Sequence, residues 1–256
     1  MKVVLFCGGL GLRLRDYSDS VPKPLVRVGP QPILWNVMRY YAHYGHKDFI
    51  LCLGHQGEAI KRFFLGYNEA IANDFTMTGG GAAIQPHKTD IHDWKITFVD
   101  TGLNSNIGER LKRVQEHLEG EEVFLANYSD GLTDLPFDDY LSFALGQDKV
   151  ACFVSVKPAT SFHVVQSTAD GIVTDIEPVS ESMRINCGYF VLKQEIFDYM
   201  EPGDELVVAP FGRLIEKKQL ITRDYDGFWE CMDTFKDKQQ LDDMYARGDT
   251  PWAVWK

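Results

Sequence analysis

The run Val3-Val4-Leu5-Phe6-Cys7 passes without a polar residue into Gly8-Gly9-Leu10-Gly11-Leu12-Arg13-Leu14. An apolar, β-favouring run closed by clustered glycines specifies a buried strand feeding a tight loop. Further strand-like runs occupy residues 49–53, 96–99, 123–126, 151–156, 172–176 and 187–192. Helical spacing of apolar residues falls between and after them, over 32–44, 57–64, 111–118, 137–145 and 239–247. Strands alternating with helices predict an α/β fold: a mainly parallel, Rossmann-like sheet with helices on both faces.

The chain has 256 residues, enough for a single domain. Residues 66–95 are the least regular stretch and contain Gly79-Gly80-Gly81, so they read as a lid or interface insertion. The net charge of −11 argues against nucleic acid as a partner, because a phosphate backbone calls for a basic face. No run of about twenty apolar residues is present to span a membrane. Five widely spaced cysteines, mostly inside apolar runs and with no C-x-x-C pair, read as free thiols in a reducing compartment. A cytoplasmic protein is expected. Trp252 and Trp255 are too large and apolar to leave exposed and are expected to dock.

The glycine turn carries chemistry as well as shape. Glycines let backbone N–H groups approach a ligand, and successive N–H groups form an anion nest. Arg13 adds a fork of donors suited to phosphate oxygens, and Pro22-Lys23-Pro24 mounts a lysine between two backbone-restricting residues. A polyphosphate site fits these features. A dinucleotide fingerprint is excluded by Leu14 at its third glycine position, and no Gly-Lys-Ser/Thr completes a Walker A loop.

A net-negative protein that binds phosphates must focus positive charge locally, for which metal ions are a usual aid. Asp130 follows the strand at 123–126, where ligand sites in open α/β sheets collect. Asp233, within Trp229-Glu230-Cys231-Met232-Asp233-Thr234, is the second candidate ligand for a hard cation, and Asp100 is a competitor. Each of these acids could instead cap a turn or helix.

The segment Gly8-Gly9-Leu10-Gly11-x-Arg13-Leu14 with Pro22-Lys23-Pro24 resembles the signature of the sugar-1-phosphate nucleotidyltransferases. Much of the remaining chain is similar to the glucose-1-phosphate cytidylyltransferase branch. The matching segments include Gln31-Pro32-Ile33-Leu34-Trp35, Val99-Asp100-Thr101-Gly102, Arg110-Leu111-Lys112-Arg113-Val114, Asp130-Gly131, Ile185-Asn186 and Met232-Asp233-Thr234. The resemblance implies transfer of a nucleotidyl group from CTP, or another nucleoside triphosphate, to a sugar 1-phosphate. It implies catalytic roles for Arg13 and Lys23, with nucleotide contacts from Gly8, Gly9, Leu10, Gly11, Arg110 and Tyr128. Arg110 matches the arginine that addresses the pyrimidine carbonyl; the alternative is an exposed residue in a first helical turn. Asp130 and Asp233 match the ligands of a Mg²⁺ cofactor. The resemblance also implies a homo-oligomer, with the insertion at 66–95 helping subunits meet.

Departures cluster on the acceptor side. Glu177, in Ile176-Glu177-Pro178, stands where the family has its sugar-phosphate lysine, and Arg184 is the nearby cation that could supply the missing charge. Asn186 and Gly188 keep the family's sugar-side residues, whereas His163 adds bulk beside them. Leu12 replaces a threonine and Ser129 a glycine. The implied acceptor is therefore a sugar phosphate that need not be glucose 1-phosphate. A non-catalytic nucleotide-sugar sensor on the same fold is the rival reading. A glycosyltransferase is disfavoured because Ser129-Asp130-Gly131 is not a D-x-D motif.

Overall fold

The computed structural model describes residues 1–9, 21–159 and 162–256. Its centre is a seven-stranded sheet made of β1 (Lys2–Phe6), β2 (Asp48–Leu53), β3 (Lys95–Asp100), β4 (Val123–Asn127), β5 (Ala151–Val156), β6 (Ile185–Lys193) and β7 (Leu220–Tyr225). The order across the sheet is β7-β5-β6-β4-β1-β2-β3. Strand β1 pairs in parallel with β2 and β4, as β2 does with β3 and β5 with β7. Only β6 runs against its two neighbours, β4 and β5. Reversing that one strand brings its first residues to the edge where the parallel strands end.

The absence of polar alternation in β1 has a direct cause. Val3, Leu5 and Cys7 enter one core, while Val4 and Phe6 enter another on the opposite face. In β2, Phe49, Leu51 and Leu53 likewise oppose Ile50 and Cys52. A strand covered on both faces needs apolar residues at every position. The first core is roofed by α1 (Ile33–His43), α2 (Gly57–Leu65), α4 (Phe137–Gly146) and α6 (Phe235–Ala246). The second is roofed by α3 (Ile107–Arg113) and α5 (Ala209–Glu216). Helices on both faces of a mainly parallel sheet are the expected arrangement.

Some boundaries differ from the sequence reading. Helix α3 begins at Ile107 rather than 111, because Asn106 and Glu109 form a reciprocal capping box. It gives way at Val114 to a 3₁₀ turn, Gln115–Leu118. Strand 172–176 is one arm of a hairpin, His163–Ser167 against Val173–Pro178. Trp252 is buried in the first core, and Trp255 meets Trp35 edge-on with centroids 6.0 Å apart, so both dock as expected. The five cysteines are free. No described helix is long and apolar enough to cross a membrane.

Residues 66–95 fold as a short helix, Glu69–Ala72, and an antiparallel hairpin, Phe75–Thr78 with Ala83–Pro86. The base of this excursion is fixed by polar contacts. Tyr67 donates to Asp90 at 2.7 Å, and the Glu69 carboxylate accepts from the Asp90 and Ile91 amides.

Candidate active site

A cleft of about 640 Å³ opens at the carboxyl ends of β1 and β4 and the start of β6. Its walls include Gly8, Gly9, Lys23, Arg110, Tyr128, Asp130, Asn186 and Asp233, all expected from the sequence. Leu10, Gly11 and Arg13 fall outside the described residues, as does Leu12.

Lys23 begins a 3₁₀ turn, Lys23–Leu25, between Pro22 and the buried Pro24. The Leu25 amide donates to the Pro22 carbonyl at 2.8 Å, and the Val26 amide to that of Lys23 at 3.0 Å. With its backbone so fixed, the lysine sends Nζ to Asp130 Oδ2 at 2.6 Å and Asp233 Oδ1 at 2.5 Å. Burial opposes the ammonium, but the two carboxylates more than offset it and raise its pKa. Burial also raises the Asp130 carboxyl, against the pull of Lys23 and with the added repulsion of Asp233.

Backbone pairing brings these acids together across a wide gap in sequence. The short strand Gly131–Thr133, just after Asp130, pairs antiparallel with Trp229–Cys231, just before Asp233. The Met232 amide donates to the Asp130 carbonyl at 2.9 Å, closing the ladder between them. Beyond it, the Asp233 amide bonds Asp237 at 3.0 Å, and Thr234 and Asp237 form the capping box of α6.

Ser129 explains its own departure from glycine. It has φ 67°, the left-handed region that disfavours a side chain. Its amide donates to Asn127 Oδ1 at 2.7 Å, and its hydroxyl donates to the Phe6 carbonyl at 2.8 Å. The hydroxyl thus ties the ends of β4 and β1 and offsets part of the strain.

Arg110 is 3% exposed, so the exposed-residue alternative is corrected. Asn106 starts the helix early enough to turn this side chain inward beneath the loops. Nη1 donates to Thr101 Oγ1 at 2.7 Å and to the Gly102 and Leu53 carbonyls at 2.9 and 3.1 Å. Nη2 donates to the Gly8 carbonyl at 3.0 Å and to that of Leu103 at 3.4 Å. One guanidinium therefore joins the glycine turn to the ends of β2 and β3. The same contact gives Gly8 a structural reason, since a Cβ there would lie 2.1 Å from Arg110 Nη1.

On the other wall, Asn186 Nδ2 donates to the Tyr128 hydroxyl at 3.3 Å and Oδ1 accepts the Gly188 amide at 2.8 Å. Gly188 has φ 81°, and a Cβ would lie 2.4 Å from the Tyr128 ring. Burial, with the nearby Glu205 carboxylate, pushes the Tyr128 hydroxyl up. The remaining acceptor-side residues lie apart from the cleft lining. Glu177 sits opposite Val164 in the 163–178 hairpin. Arg184 is already balanced, with Nη2 2.5 Å from Asp226 and Nε 3.3 Å from Asp224, and it also donates to the Ser155 and Tyr225 carbonyls. Asp100 accepts the Gly102 amide at 2.9 Å and lies in a separate cleft at the start of α2.

Ser105, Ile107, Glu205, Trp229 and Cys231 also line the cleft. Sequence reasoning did not single them out as site residues. The alternation Trp229-Glu230-Cys231 ahead of Asp233 was the available signal: two residues face the cleft and the middle one faces away. Burial, with Asp233 and Asp130 nearby, pushes the Cys231 thiol up to about 12, so it stays neutral and is a poor nucleophile.

Glu230, pointing the other way, is buried and accepts from Gln240 Nε2 at 3.1 Å. Burial, then Asp237, pushes its carboxyl from 4.5 up to about 7. The folded state therefore holds a proton that the unfolded chain releases, and stability falls as pH rises through this window. Glu230→Gln is expected to match wild type near pH 4.5 and to exceed it by about 1–3 kcal/mol above pH 7. Thermal unfolding of both proteins across that range is the check, and a constant difference at all pH values would contradict it.

A sequence profile for nucleotidyl transferases matches residues 2–207. The chain is 34% identical to a glucose-1-phosphate cytidylyltransferase of Salmonella typhimurium over 258 aligned positions, spanning 100% of both. It is 33% identical, again over 100% of both, to a probable glucose-1-phosphate cytidylyltransferase of Bacillus subtilis. In three dimensions it resembles a putative glucose-1-phosphate thymidylyltransferase from Bacillus anthracis, with TM-score 0.71, 16% identity and coverage of 95% and 94%. A UDP-glucose pyrophosphorylase complexed with UDP-glucose gives TM-score 0.71 at 15% identity, covering 96% and 98%. The structural likenesses speak to the fold. The full-length sequence likeness goes further and makes this chain a member of the sugar-1-phosphate nucleotidyltransferase family.

Proposed function

We propose that the protein transfers a nucleotidyl group from a nucleoside triphosphate, CTP foremost, to a sugar 1-phosphate, releasing pyrophosphate. The observation that carries this reading is the meeting of Lys23, Asp130 and Asp233 in one cleft beside the glycine turn. CTP is favoured because the full-length relatives are named glucose-1-phosphate cytidylyltransferases.

The attacking group is a phosphate monoester, mostly dianionic at neutral pH because its second pKa is ~6. It needs no general base. The difficulty is repulsion between two polyanions, so the catalytic work is charge neutralisation and in-line positioning. Backbone N–H groups of Gly8 and Gly9 would cradle the triphosphate, with the Gly8 carbonyl held from behind by Arg110. Lys23 would stand between the α-phosphate and the incoming phosphate. Arg13, assigned from sequence alone, would balance charge on the departing pyrophosphate. Tyr128 would contact the nucleotide, and Asn186, hydrogen-bonded to it, would face the sugar.

Asp130 and Asp233 fit a divalent cation by a test internal to the structure: both already converge on one positive group, the Lys23 ammonium. Two carboxylates completed by substrate phosphates are a donor set that Mg²⁺ favours. When bound there, Mg²⁺ would supply neutralisation of the phosphate oxygens during transfer. A soluble site of action in the cytoplasm and a homo-oligomeric state go with this reading.

The acceptor need not be glucose 1-phosphate, since Glu177 stands where the resembling family has a cation and Arg184 is engaged by Asp224 and Asp226. Pyrophosphate release is to be measured over a grid of nucleoside triphosphates and sugar 1-phosphates, with and without Mg²⁺. Release is expected with CTP and one or more sugar 1-phosphates, only with the metal. Silence across the whole grid would favour a sensor. On the same grid, Glu177→Lys is expected to raise kcat/KM for glucose 1-phosphate about tenfold, the scale of one added charge contact. Unchanged constants would remove Glu177 from the account of acceptor choice.

A further inference from the structure

We infer that Lys23 is a resident counter-ion of the metal seat, and that metal and nucleotide therefore enter cooperatively because each relieves the lysine of its place. The inference rests on the reading of Asp130 and Asp233 as metal ligands and extends it to the state without ligands.

Three observations converge. The Lys23 ammonium lies between the two acids, 2.6 and 2.5 Å from their oxygens, in the position a shared cation would take. The backbones of the two acids are held side by side by the ladder of Gly131–Thr133 with Trp229–Cys231 and the Met232–Asp130 hydrogen bond. Lys23 lines the open cleft, and its neighbours Pro22 and Pro24 hold its backbone, which leaves the side-chain torsions as the moving part.

Two ionised carboxylates held side by side are relieved by a positive group between them. A divalent cation reaching them unaided must displace an ammonium hydrogen-bonded to both. A triphosphate in the same cleft offers that ammonium another anionic partner and opens the seat. The coupling is reciprocal: the cation tightens nucleotide binding by the factor with which nucleotide tightens the cation. The lysine thus serves twice, as a placeholder at rest and as a phosphate contact during turnover.

The test uses Mn²⁺ as the probe on the full chain without nucleotide, with binding followed by calorimetry and by the paramagnetic signal of the free ion. Lys23→Met is expected to bind Mn²⁺ at least tenfold more tightly than wild type, and Mn²⁺ is expected to raise its Tm by more than it raises that of wild type. Equal or weaker Mn²⁺ binding by Lys23→Met would overturn the inference while leaving the proposed transfer reaction standing. No Mn²⁺ binding by either protein, even with a non-hydrolysable CTP analogue, would overturn the metal reading as well. A second measurement needs no variant. In protein labelled with ¹⁵N-lysine, one ammonium is expected to exchange slowly with water at rest and to lose that protection when Mg²⁺ and the analogue are added. A spectrum with no protected ammonium, or one unmoved at saturation, would also refute the exchange.

Discussion

Asp130→Asn is expected to lower kcat about 10²–10³-fold, the usual consequence of removing one preorganised electrostatic group from a transition state. The substitution keeps shape and hydrogen-bonding capacity but removes the charge that holds Lys23 at 2.6 Å. The fold should persist. Burial already disfavours the ionised form of this carboxyl, so a neutral amide relieves a desolvation penalty while giving up an ion pair. Steady-state pyrophosphate release gives the rate, and far-ultraviolet circular dichroism with thermal unfolding gives the control. A variant retaining more than a tenth of wild-type kcat would place Asp130 outside the chemistry. Loss of structure together with activity would make it a scaffold residue instead.

Arg110→Ala is expected to cost about 3 kcal/mol of stability, since it strips hydrogen bonds from the buried Leu53 and Gly8 carbonyls and from the part-buried Gly102 and Leu103 carbonyls, at three chain segments. For a chain of this size that corresponds to a fall in Tm of roughly 6–12 °C. The KM for nucleotide is expected to rise in parallel, because the Gly8 carbonyl loses its tether. Arg110→Lys is expected to recover little of either, as a single ammonium cannot reproduce a planar fork with acceptors on both terminal nitrogens. The outcome separates two jobs for this side chain. An unchanged Tm, with a KM defect confined to CTP and absent for other triphosphates, would mean that the guanidinium reads the base.

The difference between what the chain announces and what it conceals has a physical pattern. β1 and β2 were plain because, past Lys2 and Asp48 at their starts, both faces are buried and the run is apolar throughout. Asp130 was plain because it follows such a strand. β7 was missed because it is an edge strand with Thr222, Arg223 and Asp224 exposed, and its sequence, Leu220–Tyr225, shows little apolar periodicity. The His163–Ser167 arm was missed for a similar reason, being largely exposed on both faces. The early start of α3 was readable in Asn106-Ile107-Gly108-Glu109, a capping-box pattern that the apolar periodicity beginning at Leu111 overshadowed.

The site divides along the same line. That Gly8 must lack a side chain follows from the sequence through the logic of phosphate approach. That a guanidinium 102 positions away occupies the space beside it does not. Charge partners are equally hidden. Arg184 looked available to offset Glu177, yet Asp224 and Asp226 from the end of the edge strand and the turn after it hold it first. Local pattern specifies elements and the ends of strands; which charges neutralise which is decided by loops that meet only after folding.

The ladder that seats Asp233 beside Asp130 sets a schedule for synthesis on the ribosome. The glycine turn, Lys23 and Asp130 are made before the partner segment Trp229–Cys231 and the acid after it. A nascent chain stalled before that point carries one acid of the pair and one half of the ladder. It cannot yet bring the two acids and Lys23 together.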